Sequence, residues 1–180
     1  TPTRELAQQV HASVVKYGAQ TDLQATLVYG GASINTQIEN LKAGADIVVA
    51  TPGRLIDLMY KGAVDLSQVE YMVFDEADRM LDMGFMDEIQ RILKVIPSAR
   101  QTLLFSATFD DAIFKLSKTL LKSPKRIEVD ARNTASIQVE QRVYAVDADR
   151  KRELISYLIG SKNWHQVLIF TRTKLGADAL

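Results

Sequence analysis

Tyr71-Met72-Val73-Phe74-Asp75-Glu76-Ala77-Asp78 is an apolar run that ends in a cluster of acids. Its apolar residues do not alternate with polar ones, which suits a strand buried on both faces, as in a parallel sheet. Runs rich in Val, Ile, Leu and Phe also occur at 25–29, 46–50, 102–106 and 126–129. Helical patterns separate them, at 4–18, 34–43, 54–61, 86–95 and 111–121. In the first helix Leu6, Val10, Val14 and Tyr17 recur near one face. Ser33 is a suitable N-cap for the second. Strands alternating with helices predict an α/β protein with a doubly wound parallel sheet.

The stretch 131–137 is small and polar and reads as a linker. Beyond it, strand patterns at 139–146 and 167–170 flank a helix at 150–160, and another helix starts at Lys174. The expected organisation is a first α/β domain over 1–130 and the start of a second over 138–180. The chain opens on Thr1-Pro2-Thr3-Arg4 with no initiator Met, and Leu180 falls inside a helical pattern. It therefore reads as an internal piece of a longer protein. Its 22 Lys and Arg balance 22 Asp and Glu, so nucleic acid would have to be gripped by local geometry rather than bulk charge. There is no Cys, which excludes disulfides and thiolate metal sites and fits a reducing cytoplasm. No apolar run approaches the ~18 residues of a membrane span.

Open α/β sheets bind ligands at the carboxyl ends of their strands, where Asp75 and Glu76 fall. A carboxylate there can hold Mg²⁺ beside nucleotide phosphates, often through water, and the next acid can align or deprotonate an attacking water. Taken alone, such acids commonly cap the following helix. Five other stretches add weight: Pro2-Thr3-Arg4-Glu5-Leu6, Gly30-Gly31, Thr51-Pro52-Gly53-Arg54, Ser106-Ala107-Thr108 and Leu168-Ile169-Phe170-Thr171. Each is weak alone, since Thr-Pro-Gly is ordinary turn chemistry and Ser-Ala-Thr suits a helix cap. Together, at strand ends and helix starts, they describe a rim offering N–H groups, close glycine backbone and two arginines to phosphates. Such a rim grips sugar and phosphate without reading sequence.

In this order the motifs resemble those of the DEAD-box ATP-dependent RNA helicases, whose name motif is Asp75-Glu76-Ala77-Asp78 here. The resemblance runs over essentially all 180 residues. From Arg150 through Trp164 to Arg172 it is most similar to the bacterial RhlE-type subgroup. It implies RecA-like domains, ATP and Mg²⁺ as cofactors, and RNA as partner. It also implies that Asp75 coordinates Mg²⁺ through water, that Glu76 is the base for water, and that Asp78 couples to Ser106 and Thr108. Thr3, Arg4, Gly31, Thr51 and Arg54 would hold the RNA backbone on the first domain, and Thr171 on the second. The helix begun by Arg54 would bend the RNA. Bacterial members act in ribosome assembly and RNA decay, so partners from those processes are implied too.

None of the nine Gly is followed by Lys, so these residues hold no G-x-x-x-x-G-K-[ST] phosphate loop. The upstream adenine-reading segment and the later arginine-finger motif of the family are not found either. The 180 residues are therefore expected to show negligible ATPase activity, and the first domain's sheet is expected to be incomplete. Two alternatives remain open: an RNA-binding module without ATPase function, and a related nucleic-acid ATPase acting on DNA. Asp78, where DNA-directed relatives more often carry His, favours RNA. His11 and His165 are too far apart in sequence to suggest a zinc site or a triad. Trp164 is expected in a core, and Met80, Met83 and Met86 with Leu81 and Phe85 in a helix–turn–helix packed behind the acidic strand. Lys115, Lys118, Lys122, Lys125 and Arg126 read either as a solvated face or as an auxiliary RNA contact.

Overall fold

The computed structural model describes residues 1–129 and 140–180, so the linker expected at 131–137 lies outside the described residues. The chain divides into two compact units, Thr1–Thr134 and Ala135–Leu180. The first is an α/β unit in the order α1 (Arg4–Gly18), β1 (Ala25–Val28), α2 (Ile34–Lys42), β2 (Ile47–Ala50), α3 (Pro52–Tyr60), β3 (Tyr71–Phe74), α4 (Ala77–Asp82), α5 (Met86–Leu93), β4 (Gln101–Leu104) and α6 (Asp111–Leu120). Local chemistry sets the helix starts. Thr3, Ser33 and Asp110 each accept a hydrogen bond from an N–H of the first turn, and Pro52 sits where its missing N–H costs nothing.

Among the described residues all strand pairing is parallel. Ala25–Val28 runs beside Ile47–Ala50 in one sheet, and Tyr71–Phe74 beside Gln101–Leu104 in another. The single doubly wound sheet of the sequence reading is thus split into two pairs among the described residues. Buried parallel strands need cover on both faces. β3 lacks it, with Tyr71 66% and Val73 51% exposed.

Two apolar clusters hold the unit together. Phe74, Ala77, Met80, Ile89, Ile113, Leu116 and Leu120 pack around β3 and β4. Val28, Leu55, Ile56, Leu58, Ile92 and Ile96 pack beneath β1. α5 contributes Ile89 to one cluster and Ile92 to the other, and half-buried Met72 and Leu93 touch both. The helix–turn–helix expected behind the acidic strand is present: Met80 is buried and Leu81, Phe85 and Met86 pack against the first cluster, while Met83 is exposed.

Two expectations for this unit change. Residues 126–129 form no strand, and Ile127 and Val129 are exposed. The expected core face of α1 is only half covered: Leu6, Val10 and Val14 line an open groove and Tyr17 is exposed. His11 uses its ring nitrogen on the Ala25 carbonyl oxygen, 3.2 Å away.

The second unit holds a 3₁₀ turn (Ala148–Arg150), α7 (Lys151–Ser161) and α8 (Lys174–Asp178). The strands expected at 139–146 and 167–170 do not form over the described residues. Val143, Leu168 and Phe170 are exposed, as is Trp164, which the sequence reading put in a core. A strand needs a neighbour in register, and among the described residues neither segment has one.

Candidate active site at the strand ends

β3 and β4 finish side by side, and their ladder continues past them. Phe105 N–H donates to the Phe74 carbonyl (2.8 Å), and Ala77 N–H donates to the Phe105 carbonyl (2.9 Å). This extension brings two sequence motifs together. One oxygen of Asp78 accepts both the hydroxyl and the N–H of Thr108, each at 3.0 Å, and the other accepts the Arg79 N–H at 3.0 Å. Burial alone would raise the Asp78 pKa, but these donors, with a contribution from Ser106, outweigh it and hold the carboxyl below its usual range. Ser106 Oγ itself is buried without a hydrogen-bond partner of good geometry. A buried hydroxyl in that condition is costly unless another state of the site supplies a partner.

Asp75 and Glu76 sit where the strand turns into α4. Glu76 N–H donates to Asp75 Oδ1 at 3.0 Å. Glu76 is left-handed, with φ 52° and ψ 54°, a conformation costing a non-glycine residue roughly 1–2 kcal/mol. That strain turns the chain sharply at the acids. Glu76 Oε2 lies 3.5 Å from Arg79 Nη1, an exposed pair that is weak in water. The Thr1 amino group donates to the Ala50 carbonyl at the end of β2.

Among the described residues no three acids or histidines gather to enclose a metal. The donor set at the tip of β3 fits Mg²⁺, which keeps several waters and needs only one or two carboxylates when substrate phosphates complete its shell. Asp75 is the residue that would hold it.

The rim beside these acids is built by α1, β1, β2 and α3. Gly31 has φ +85°, open only to glycine without strain, and a side chain there would meet the Arg4 guanidinium at 3.8 Å. Arg4 is half exposed and pairs with Glu5 at 3.1 Å. Thr3 accepts the Leu6 N–H, and Thr51 starts α3 without a side-chain cap. Arg54, expected at the RNA backbone, lies between the start of α3 and the loop after β1. Its side chain is 11% exposed, lies 3.7 Å from Asp57, and donates to the Ala32 carbonyl at 3.0 Å. It therefore positions the Gly30–Gly31 loop. Thr171 belongs to the other unit, where its hydroxyl donates to the Thr173 carbonyl at 2.9 Å.

Gln37 was not singled out from sequence. Its buried amide donates to the Tyr29 carbonyl at 3.0 Å and accepts the Tyr29 N–H at 3.2 Å, clamping the exit of β1. The available signal was a long polar side chain on the inward face of an amphipathic helix. Gln37→Leu leaves both Tyr29 groups unpaired, so urea unfolding should show a loss of about 1–3 kcal/mol with an unchanged m-value.

The lowered Asp78 pKa also has a pH signature. A carboxyl depressed in the folded state stabilises the fold above its unfolded pKa, near ~3.9, and that contribution disappears as pH falls through the folded value. Between pH 6 and pH 3, urea midpoints should fall further for the wild type than for Asp78→Asn.

A family model described as DEAD/DEAH box helicase matches residues 1–116. ATP-dependent RNA helicase RhlB of Pseudomonas aeruginosa is 43% identical over 176 residues, covering 96% of this chain and 44% of that protein. The DEAD-box ATP-dependent RNA helicase CshA of Streptococcus pneumoniae serotype 4 is 40% identical, covering 99% of this chain and 34% of the relative. The chain thus spans less than half the length of these curated relatives. A hypothetical ATP-dependent RNA helicase of Sulfolobus tokodaii superposes with TM-score 0.65 at 46% identity, over 69% of this chain and 38% of that one. The yeast DEAD-box splicing factor Prp28 gives TM-score 0.63 at 38% identity, over 68% and 30%.

Proposed function

Because the chain belongs to the DEAD/DEAH box helicase family, with a partial RecA-like fold, we propose that it supplies the hydrolytic acids and RNA-facing rim of an ATP-dependent RNA helicase. The observation that carries this reading is the double hydrogen bond from Thr108 to Asp78, which ties the acidic strand end to the Ser-Ala-Thr strand end. A purely structural acid cluster gives no reason for that link between two motifs.

Mg²⁺ bound with ATP would neutralise charge on the phosphates, with Asp75 as its protein ligand through water. Glu76, one residue on and turned by its left-handed backbone, accepts the proton of the attacking water. Asp78 passes the state of the acids to Thr108 and Ser106. Thr3, Arg4, Gly31, Thr51 and Arg54 hold the RNA backbone on the first unit, Arg54 also keeping the Gly30–Gly31 loop in place, and Thr171 holds it on the second. The helix α3 bends the strand, which then cannot stay stacked in a duplex. A cytoplasmic setting fits the Cys-free sequence. The RhlE-type subgroup rests on residues 150–172 alone, since the relatives above carry other names.

Unwinding of matched RNA and DNA duplexes, by a chain that joins these residues to a phosphate loop, tests the reading. RNA-selective, ATP-dependent strand separation is expected; equal activity on DNA would remove the RNA assignment. The 180 residues alone should give negligible ATP turnover, because no phosphate-loop lysine is present to hold the β- and γ-phosphates. RNA-stimulated turnover by this chain would contradict that.

A further inference from the structure

In a chain of zero net charge, residues 112–127 carry five cations and no acid. Lys115, Lys118, Lys122 and Lys125 are all exposed along α6 and the segment that leaves it. Two aromatic rings are set among the cations. The Arg126 guanidinium lies 3.8 Å from the Phe109 ring centroid, and Lys118 Nζ lies 4.5 Å from that of Phe114. The two rings meet edge to face at 6.2 Å, and Phe114 is 43% exposed. Arg126 is also paired with Glu128, so the lysines dominate the positive field.

The position of this patch is as informative as its charge. Phe109 directly follows Thr108, the residue bonded to Asp78, so the patch begins at the rim. Lys122 Nζ donates to the Ser98 carbonyl at 2.9 Å, and Ser98 precedes the start of β4. The basic face therefore runs from the carboxyl ends of the strands to the opposite edge of the sheet. Cations interleaved with an accessible ring are what a single nucleic-acid strand needs: phosphates meet lysines, and a base stacks on an aromatic face. An acidic protein segment would use the charges but has no comparable use for the ring.

We infer that the α6 face of Phe114, Lys115, Lys118, Lys122 and Lys125 is an extension of the RNA path, holding single-stranded RNA that runs on from the rim. A base stacking on Phe114 moves Lys118 from the ring to the neighbouring phosphate. This rests on the reading of the rim as an RNA site, so the test separates the two.

Fluorescence anisotropy of the 180-residue chain with single-stranded RNAs of about 6 and 18 nucleotides gives the readout, the longer one sized to extend past the rim onto α6. In Lys115→Gln/Lys118→Gln/Lys122→Gln/Lys125→Gln, affinity for the longer RNA should fall about tenfold or more. Its salt slope should shrink by about 3, as for four lost phosphate contacts, with the shorter RNA unaffected. Phe114→Leu, which keeps an apolar group against Phe109, should weaken the longer RNA about tenfold without altering the slope. Unchanged affinity and slope for the longer RNA would overturn the inference, as would polyglutamate binding the wild type as tightly as RNA and losing as much in the variant. Arg4→Ala should weaken the shorter RNA; if it does not, the reading of the rim falls, whatever the α6 variants show.

Discussion

Glu76→Gln, in a chain that also carries a phosphate loop, is expected to lower the rate of ATP hydrolysis by at least about 10²–10⁴-fold, the usual contribution of a positioned base. ATP and RNA affinity should persist. The amide keeps the size and the left-handed turn of Glu76 but cannot take a proton, and Asp75 still accepts the backbone N–H of residue 76. The Arg79 pair is exposed and its loss is minor. Steady-state turnover beside equilibrium binding of nucleotide and RNA checks both halves. Unchanged turnover would remove Glu76 from the chemistry. Glu76→Gly gives a second readout: it should lose hydrolysis equally, yet gain about 0.5–1 kcal/mol in urea unfolding, because glycine adopts φ 52° without strain. A residue that destabilises its own fold and is needed for turnover has been placed there for chemistry.

Ser106→Ala combined with Thr108→Ala should leave ATP hydrolysis largely in place while strand separation is lost. The double change removes the hydroxyl donor to Asp78 and the buried, unpartnered Ser106 oxygen, but the Thr108 N–H to Asp78 stays available and the acids of β3 are untouched. The hydrolytic and mechanical steps should therefore separate. Measuring ATP turnover and duplex unwinding on the same preparation shows this. Loss of neither activity would refute the coupling role, and equal loss of both would place the pair in hydrolysis itself.

Much of this was legible in the residues. The helix start at Arg4, the cap at Ser33, and the four apolar runs that became β1 to β4 follow from local periodicity and capping chemistry. The runs at 126–129 and 167–170 have the same composition and formed no strand, because composition does not provide a partner ladder. Arg54 is expected at the RNA from its motif, whereas its burial and its bond to Ala32, 22 residues away, depend on how α3 packs against the loop after β1. Gln37 was invisible for a similar reason, since its value lies in the Tyr29 backbone it clamps.

Local order alone dictated the alternation of strands with helices and put the acids, Gly30-Gly31, Thr51 and Ser106 at strand ends, because periods and caps act over a few residues. Folding in three dimensions chose which strands pair, bent Glu76 into a left-handed turn, and joined Asp78 to Thr108 across 30 positions. Those outcomes depend on hydrogen bonds and packing between residues distant in the chain; only the Asp78–Thr108 link was also implied by the family resemblance.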